Sequence, residues 1–254
     1  MGLYDNKVVV VTGASSGIGE HMARRFYEEG AFVAVCSRSQ ERIERAVSVY
    51  ADSHDLRIMA VAADMTDRRA VTAFMAAVVE RFGRIDILIN NAGLSRPKST
   101  VEVLPEDFDV TVQTKFQGYF FMSQAAARDM LRRGEGGTIV QIGSVQSTTV
   151  IPGQAVYASV NAGIVQMTRS LAREWGKAGI RVNCIAPGSI HTPENAARYA
   201  DPAVEKAMCE KIPLGYRGYV EQIADAAFFL TGERSAYITG QTLCVDGGLS
   251  LCRG

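Results

Sequence analysis

No run of single-sign charge occurs in this chain. Lys plus Arg (27) equals Asp plus Glu (27) over 254 residues, so no basic excess calls for a nucleic-acid partner. Histidine is scarce: His21, His54 and His191 have no metal-ligand spacing, so no metal site is expected, and the first two read as surface or helix residues. The five cysteines are odd in number and scattered, with no C-x-x-C pair, which argues against a disulfide framework and a zinc site. They read as small buried hydrophobes in a reducing compartment. No apolar run approaches the roughly 20 residues of a membrane span. Met1-Gly2 lacks the serine or threonine of a myristoylation signal at Asn6. The chain reaches a strand almost at once, leaving no room for a signal or transit peptide. A soluble, cytoplasmic protein with neither membrane nor nucleic-acid partner is the expectation.

What is present is 47% hydrophobic and patterned. Short apolar runs (Lys7–Thr12, Ala31–Cys36, Leu56–Ala63, Ile85–Asn90, Thr138–Ile142, Ile180–Ala186, Thr242–Val245) alternate with helical patterns. The helices are expected at Gly17–Glu29, Gln40–Ala51, about Asp67–Phe82, Glu106–Arg133, Ala155–Lys177, an irregular Pro193–Cys209, and Glu221–Leu230. Strands without polar alternation belong to a parallel sheet covered on both faces. The expected fold is α/β: a single doubly wound parallel sheet, Rossmann-like, with helices on both faces. No linker, repeat or composition shift divides it, so residues 1–254 read as one domain, with a short substrate-loop segment around 188–215.

Between the first strand and first helix lies Thr12-Gly13-Ala14-Ser15-Ser16-Gly17-Ile18-Gly19. Glycines let the backbone approach a pyrophosphate, and the helix N-terminus then offers free N–H groups and a positive dipole end. A structural turn is the plainer alternative; the strand–loop–helix context favours a dinucleotide. The second strand ends Cys36-Ser37-Arg38. A carboxylate there would select NAD(H), whereas arginine suits a 2′-phosphate, so NADP(H) is favoured over NAD(H) unless Arg38 is only a solvated loop residue. Asp64, beside Met65, either accepts from an adenine amino group or caps the next helix. Asn91-Ala92-Gly93 ends the fourth strand at the edge where ligands of such sheets bind.

Ser144 and Tyr157 stand thirteen residues apart. A phenol that moves protons near neutral pH needs help, because its free pKa is about 10. A nearby cation favours phenolate. Four residues after Tyr157, where a lysine would serve, stands Asn161.

With the glycine loop, Asn91-Ala92-Gly93, Ser144, Tyr157 and Pro187-Gly188 in this order, the chain resembles the short-chain dehydrogenase/reductase family of the classical type. Ile212-Pro213-Leu214-Gly215 and Asp246-Gly247-Gly248 extend the likeness across nearly the whole length. The resemblance implies a nicotinamide cofactor and reversible carbonyl/alcohol hydride transfer on a small-molecule substrate. It makes Tyr157 the proton donor or acceptor and Ser144 the group that orients the substrate oxygen. Pro187, Gly188, Ile190 and Thr192 would lie beside the nicotinamide. It also implies a homo-oligomer, usually a tetramer built on the two long helices, where Phe120, Met122, Met130 and Met167 either pack between subunits or fill the core.

The family carries a lysine at position 161 and an asparagine at position 115, and here the two types are exchanged. Asn161 can donate to a ribose hydroxyl but has no charge. Lys115 has a long flexible stem, and the expectation is that it supplies the missing cation from the opposite helix. A lysine on a solvated helix face is the alternative. Ser95, Arg96, Gln146, Gln154 and His191 are the expected substrate contacts; Ser95, Arg96, Gln146, His191, Glu194 and Asn195 make the pocket polar, suited to a hydroxylated or acidic carbonyl compound such as a sugar derivative. A 3-oxoacyl thioester is the alternative substrate, with Arg128, Arg132, Arg133, Arg169 and Arg173 as contacts for an acidic carrier or as charged outer faces. A cofactor-binding protein with little or no turnover is the remaining alternative.

Overall fold

A computed structural model describes residues 2–52 and 55–252. His54 therefore lies outside the described residues. Seven strands form one fully parallel sheet in the order β3-β2-β1-β4-β5-β6-β7. They are β1 Val8–Thr12, β2 Phe32–Ser37, β3 Ile58–Ala62, β4 Ile87–Asn90, β5 Gly137–Ile142, β6 Ile180–Pro187 and β7 Thr242–Val245. Side-chain alternation divides β1 between the two faces of the sheet. Val8 and Val10 join one core, Val9 and Val11 the other, all nearly sealed from water. On the first face pack α3 (Arg68–Phe82), α5 (Gly118–Arg133) and α6 (Ala155–Trp175). On the second pack α1 (Gly17–Glu28), α2 (Gln40–Val47) and α9 (Val220–Thr231). The doubly wound expectation thus describes the molecule. No helix of the described residues is long and apolar enough to cross a membrane.

Two helical patterns depart from the sequence reading. The 106–133 pattern is not one α-helix. It is α4 (Pro105–Thr111), a π-helical turn over Val112–Gln117, and then α5. Such a turn accommodates one extra residue and often marks a functional site. The 193–209 pattern breaks into α7 (Pro193–Ala196) and α8 (Pro202–Cys209). Pro202 restarts the helix at its first turn, and the Asp201 carboxylate caps it by accepting from the Ala203 N–H at 2.8 Å. The methionines offered for subunit packing face inward: Met122, Met130 and Met167 belong to the core, while Phe120 is 39% exposed. The cysteine expectation holds for Cys36 and Cys184 and fails for Cys244 and Cys252, which are exposed near the outer edge of the sheet.

Candidate active site

The site lies at the carboxyl edge of the sheet, in a cavity of about 940 Å³. At one end is the glycine loop between β1 and α1. Gly13 has φ +64°, and a Cβ added there would come within 2.7 Å of the Ala92 backbone. A Cβ on Gly19 would come within 2.4 Å of the Gly13 carbonyl. Only glycine permits these approaches. Thr12 Oγ1 accepts from the backbone N–H groups of Asn91 and Ala92, each at 3.0 Å. The Asn91 amide donates to the carbonyls of Thr12 and Gly13, both at 3.0 Å. Asn91 therefore ties β4 to the loop rather than offering its amide to a ligand. Gly13, Ser15, Ser16, Ile18, Ala92 and Gly93 line the cavity, while Gly17 and Gly19 are buried behind it.

The end of β2 carries no acid. Ser37, Arg38, Ser39 and Arg42 line the cavity there. Ser37 Oγ donates to the Ser39 carbonyl at 2.9 Å, so its hydrogen is committed. Arg42, four residues after Arg38 on the first turn of α2, was not singled out from sequence; the i, i+4 spacing was the available signal. Asp64 and Met65 also face the cavity. Asp64 Oδ1 accepts from the Thr66 N–H and hydroxyl, each at 2.9 Å. The helix cap is Asp67, whose carboxylate accepts from the Arg69 N–H at 2.8 Å.

At the other end Ser144, Tyr157 and Lys115 share the wall with Pro187, Gly188, Ile190 and Thr192. Ser144 Oγ accepts from the Gln146 N–H at 3.2 Å, which leaves its own hydrogen free to donate. Lys115 comes from the π turn and is 4% exposed. Its Nζ donates to the Gly143 carbonyl at 3.4 Å and lies 5.1 Å from the centroid of the Tyr157 ring. It is not on a solvated face. The stem runs past Gly93, where a Cβ would meet Lys115 Cδ at 3.4 Å, an ordinary van der Waals contact. Tyr119 is the second phenol nearby, its centroid 5.8 Å from Lys115 Nζ. Burial, reinforced by Tyr157 and Cys184, pushes its phenol well above the ordinary value. Its hydroxyl donates to the Ile142 carbonyl at 3.0 Å, so it is a neutral structural group. Burial likewise pushes the Cys184 thiol up to about 11.

Three expected contacts are not brought to the cavity. Asn161 has no exposed surface, and its amide donates to the Tyr157 carbonyl one turn earlier at 2.8 Å. It has no face to present to a ribose. Gln146 is absent from the wall, and its Oε1 is buried without a hydrogen-bond partner. His191 is held away by Arg217, which reaches its Nδ1 at 3.3 Å, by Glu205 at 3.5 Å, and by stacking on Tyr219. Ser95 and Gln154 do reach the wall and bond each other at 2.9 Å. Arg96, Gln154 and Tyr157 line an adjoining cleft.

The glycine cradle, the basic end beside β2 and the hydroxyl groups at the far end fit an extended dinucleotide with its reactive end beside Tyr157. Comparison with known proteins bears on this directly. Residues 13–250 match the family model described as enoyl-(acyl carrier protein) reductase. The chain is 38% identical over 255 residues to 3β-hydroxysteroid dehydrogenase 1 of Eggerthella lenta, covering 99% of this chain and 98% of that one. It is 37% identical to gluconate 5-dehydrogenase of Gluconobacter oxydans, covering 95% and 94%. This chain is a short-chain dehydrogenase/reductase. Members of this family are oxidoreductases of carbonyls and alcohols that use nicotinamide cofactors. Among solved structures, a gluconate 5-dehydrogenase from Burkholderia cenocepacia in complex with NADP and tartrate superposes with TM-score 0.89 at 32% identity, covering 98% of this chain and 97% of that one. A short-chain alcohol dehydrogenase from Sinorhizobium meliloti, described there as putative, gives TM-score 0.91 at 36% identity and 98% coverage of both. Among the described residues, the lysine beside the Tyr157 ring is Lys115, and it arrives from the π turn.

Proposed function

We propose that this chain interconverts a polar hydroxylated carbonyl compound and its alcohol with NADP(H), using Lys115 as the cation of the proton-transfer step. The observation that carries the reading is the buried Lys115 Nζ, 5.1 Å from the Tyr157 ring centroid on a wall shared with Ser144. When bound, the nicotinamide accepts or gives the hydride. Ser144 donates its free hydroxyl hydrogen to the substrate oxygen and fixes its position. Tyr157 takes the alcohol proton during oxidation and returns one to the forming alkoxide during reduction. The Lys115 ammonium beside the ring stabilises the negative charge that develops on the phenol oxygen as its proton leaves. Asn161 holds the first turn of α6, which keeps Tyr157 in place.

Support for NADP(H) comes from Arg38 and Arg42 at the end of β2 and from the absence of an acid there. Support for a hydroxylated acid, such as a sugar acid, comes from Arg96 beside Tyr157 and from the gluconate dehydrogenases among the relatives. Exposed Phe108, Phe116 and Phe120, on α4, the π turn and α5, support assembly as a homo-oligomer, the tetramer being the family's usual form; light scattering on the purified protein measures it.

The test is a pH–rate profile for alcohol oxidation. Lys115→Met is expected to lower turnover by about 10²- to 10⁴-fold and to move the rise of activity to higher pH. Lys115→Arg, which restores the charge, is expected to recover part of the rate. Wild-type turnover of Lys115→Met across the pH range sinks the assignment.

A further inference from the structure

Glu194 is expected from sequence only as a polar residue of the substrate pocket, yet its carboxylate sits on the cofactor loop. Oε1 accepts a hydrogen bond from the Ser16 hydroxyl. Oε2 lies 3.2 Å from the point a Gly17 Cβ would occupy, and the Thr192 side chain lies 3.6 Å from that same point. Ser16 is the residue that precedes α1, and its hydroxyl caps no helical N–H. A carboxylate of the chain is therefore seated over the first turn of α1. That turn carries unpaired N–H groups and a partial positive charge. Glu194 forms no ion pair among the described residues, although Arg198 lines the same cavity.

The backbone behind Glu194 is anchored independently. The Arg217 side chain is 1% exposed. Its guanidinium donates to the Ile190 carbonyl at 3.0 Å, to Asn195 Oδ1 at 2.9 Å, to Ser189 Oγ at 2.9 Å and to Glu205 Oε2 at 2.9 Å. Asn195 in turn donates to the Ile190 carbonyl at 2.7 Å. The segment is pinned on this side, so the Glu194 side chain can leave Ser16 by rotamer change without moving α7.

We propose that Glu194 is an internal competitor for the cofactor's pyrophosphate: it occupies the anion-seeking end of α1 in the free protein and is displaced when the dinucleotide enters. The inference rests on the reading of this loop as the cofactor site. Two anions cannot share one helix end without repulsion, so holding Glu194 there weakens cofactor binding. Position 194 then sets how much cofactor the protein retains between turnovers.

Direct binding decides it, by the fluorescence of NADPH titrated with protein in the absence of substrate. Glu194→Gln, which keeps the shape and removes the charge, and Glu194→Ala are each expected to lower the Kd about fivefold. Inorganic pyrophosphate is expected to displace NADPH from wild type, and at lower concentration to occupy the loop of Glu194→Gln. Glu194 is exposed, so thermal melting of both variants is expected to match wild type and serves as the folding control. An unchanged Kd overturns the competitor role. A raised Kd also overturns it, and makes Glu194 part of the cofactor's cradle. Failure of wild type and variants alike to bind NADPH or NADH overturns the cofactor reading itself, a result distinct from the other two.

Discussion

The two edges of the one parallel sheet handle charge in opposite ways. At the amino edge, Asp86, Asp129 and Glu135 are all paired. Asp86 accepts from the Val8 N–H at 2.9 Å and from Arg84 at 2.6 Å. Asp129 accepts from the Ile85 N–H at 2.9 Å, from Arg133 at 2.9 Å and from Arg132 at 2.8 Å. Glu135 bridges Arg84 and Arg133 at 2.6 and 2.9 Å. At the carboxyl edge, a buried ammonium has one long bond to a carbonyl, and the side-chain oxygens of Asn90, Gln146 and Asn161 are buried without partners. The first arrangement spends its charges on holding β1, β4 and the end of α5 together. The second keeps a charge underused, so that its field falls on a phenol. A buried charge without an acid costs stability, and the proton transfer proposed for Lys115 would account for its presence.

Breaking a pair at the amino edge gives the largest expected change in stability. Asp129→Ala leaves the Ile85 N–H without its acceptor and takes from the nearly buried Arg133 one of its two carboxylates, Glu135 being the other. Loss of about 3–5 kcal/mol is expected in urea unfolding, as for other broken buried pairs. NADPH affinity of the protein that remains folded should not change. A loss below about 1 kcal/mol would remove the contrast between the edges.

The opposite edge should answer with the opposite sign. Lys115→Met keeps the stem's volume and removes the ammonium. It should raise unfolding stability by about 1–2 kcal/mol while depressing turnover. A destabilised Lys115→Met would show that the ammonium is structural, and that the edges differ only in degree. The next effect is smaller and confined to the cofactor's far end. Replacing both Arg38 and Arg42 by alanine should weaken NADPH binding about tenfold and leave NADH binding unchanged, which paired titrations measure. Equal weakening of both cofactors would break the link between these guanidinia and a 2′-phosphate.

How much of this was legible beforehand follows the same division. The sheet was readable because buried parallel strands are written as apolar runs, and Val8–Val11 could be little else. The glycine loop, Ser144 and Tyr157 were readable because their order along the chain is itself a signal. The Lys115–Asn161 exchange was visible as two coincident departures from the family pattern. The π turn that delivers Lys115 was not visible, because helical periodicity over 106–133 hardly changes with one wider turn. Asn161, Gln146 and His191 were misplaced for a different reason. Where a polar side chain points depends on neighbours far along the chain, such as Arg217 against His191. Glu194 was legible as a polar pocket residue but not as a neighbour of the glycine loop, since its contact with Ser16 spans 178 residues.

Acid sharpens the comparison by the smallest step, read at the paired edge through Asp129. Burial alone would push that carboxyl up, but the bonds from Arg132, Arg133 and the Ile85 N–H outweigh it and hold it below the ordinary carboxylate range. A group depressed in the folded state contributes stability that is fully present above its unfolded pKa, about 3.9 for aspartate. That contribution is lost as pH falls through the folded value. Asp55 is depressed through Tyr27 and Asp107 through Arg96 and Lys98, so the wild-type acid slope is a sum. Asp129→Asn removes one share of it. Unfolding free energy followed from pH 6 to pH 3 should therefore fall less steeply in Asp129→Asn than in wild type, with the curves converging below about pH 4. Lys115→Met should run parallel to wild type over the same range, because it removes no carboxylate. Parallel curves for all three proteins would mean that Asp129 is not depressed, and that the amino edge is held by packing rather than by its charges.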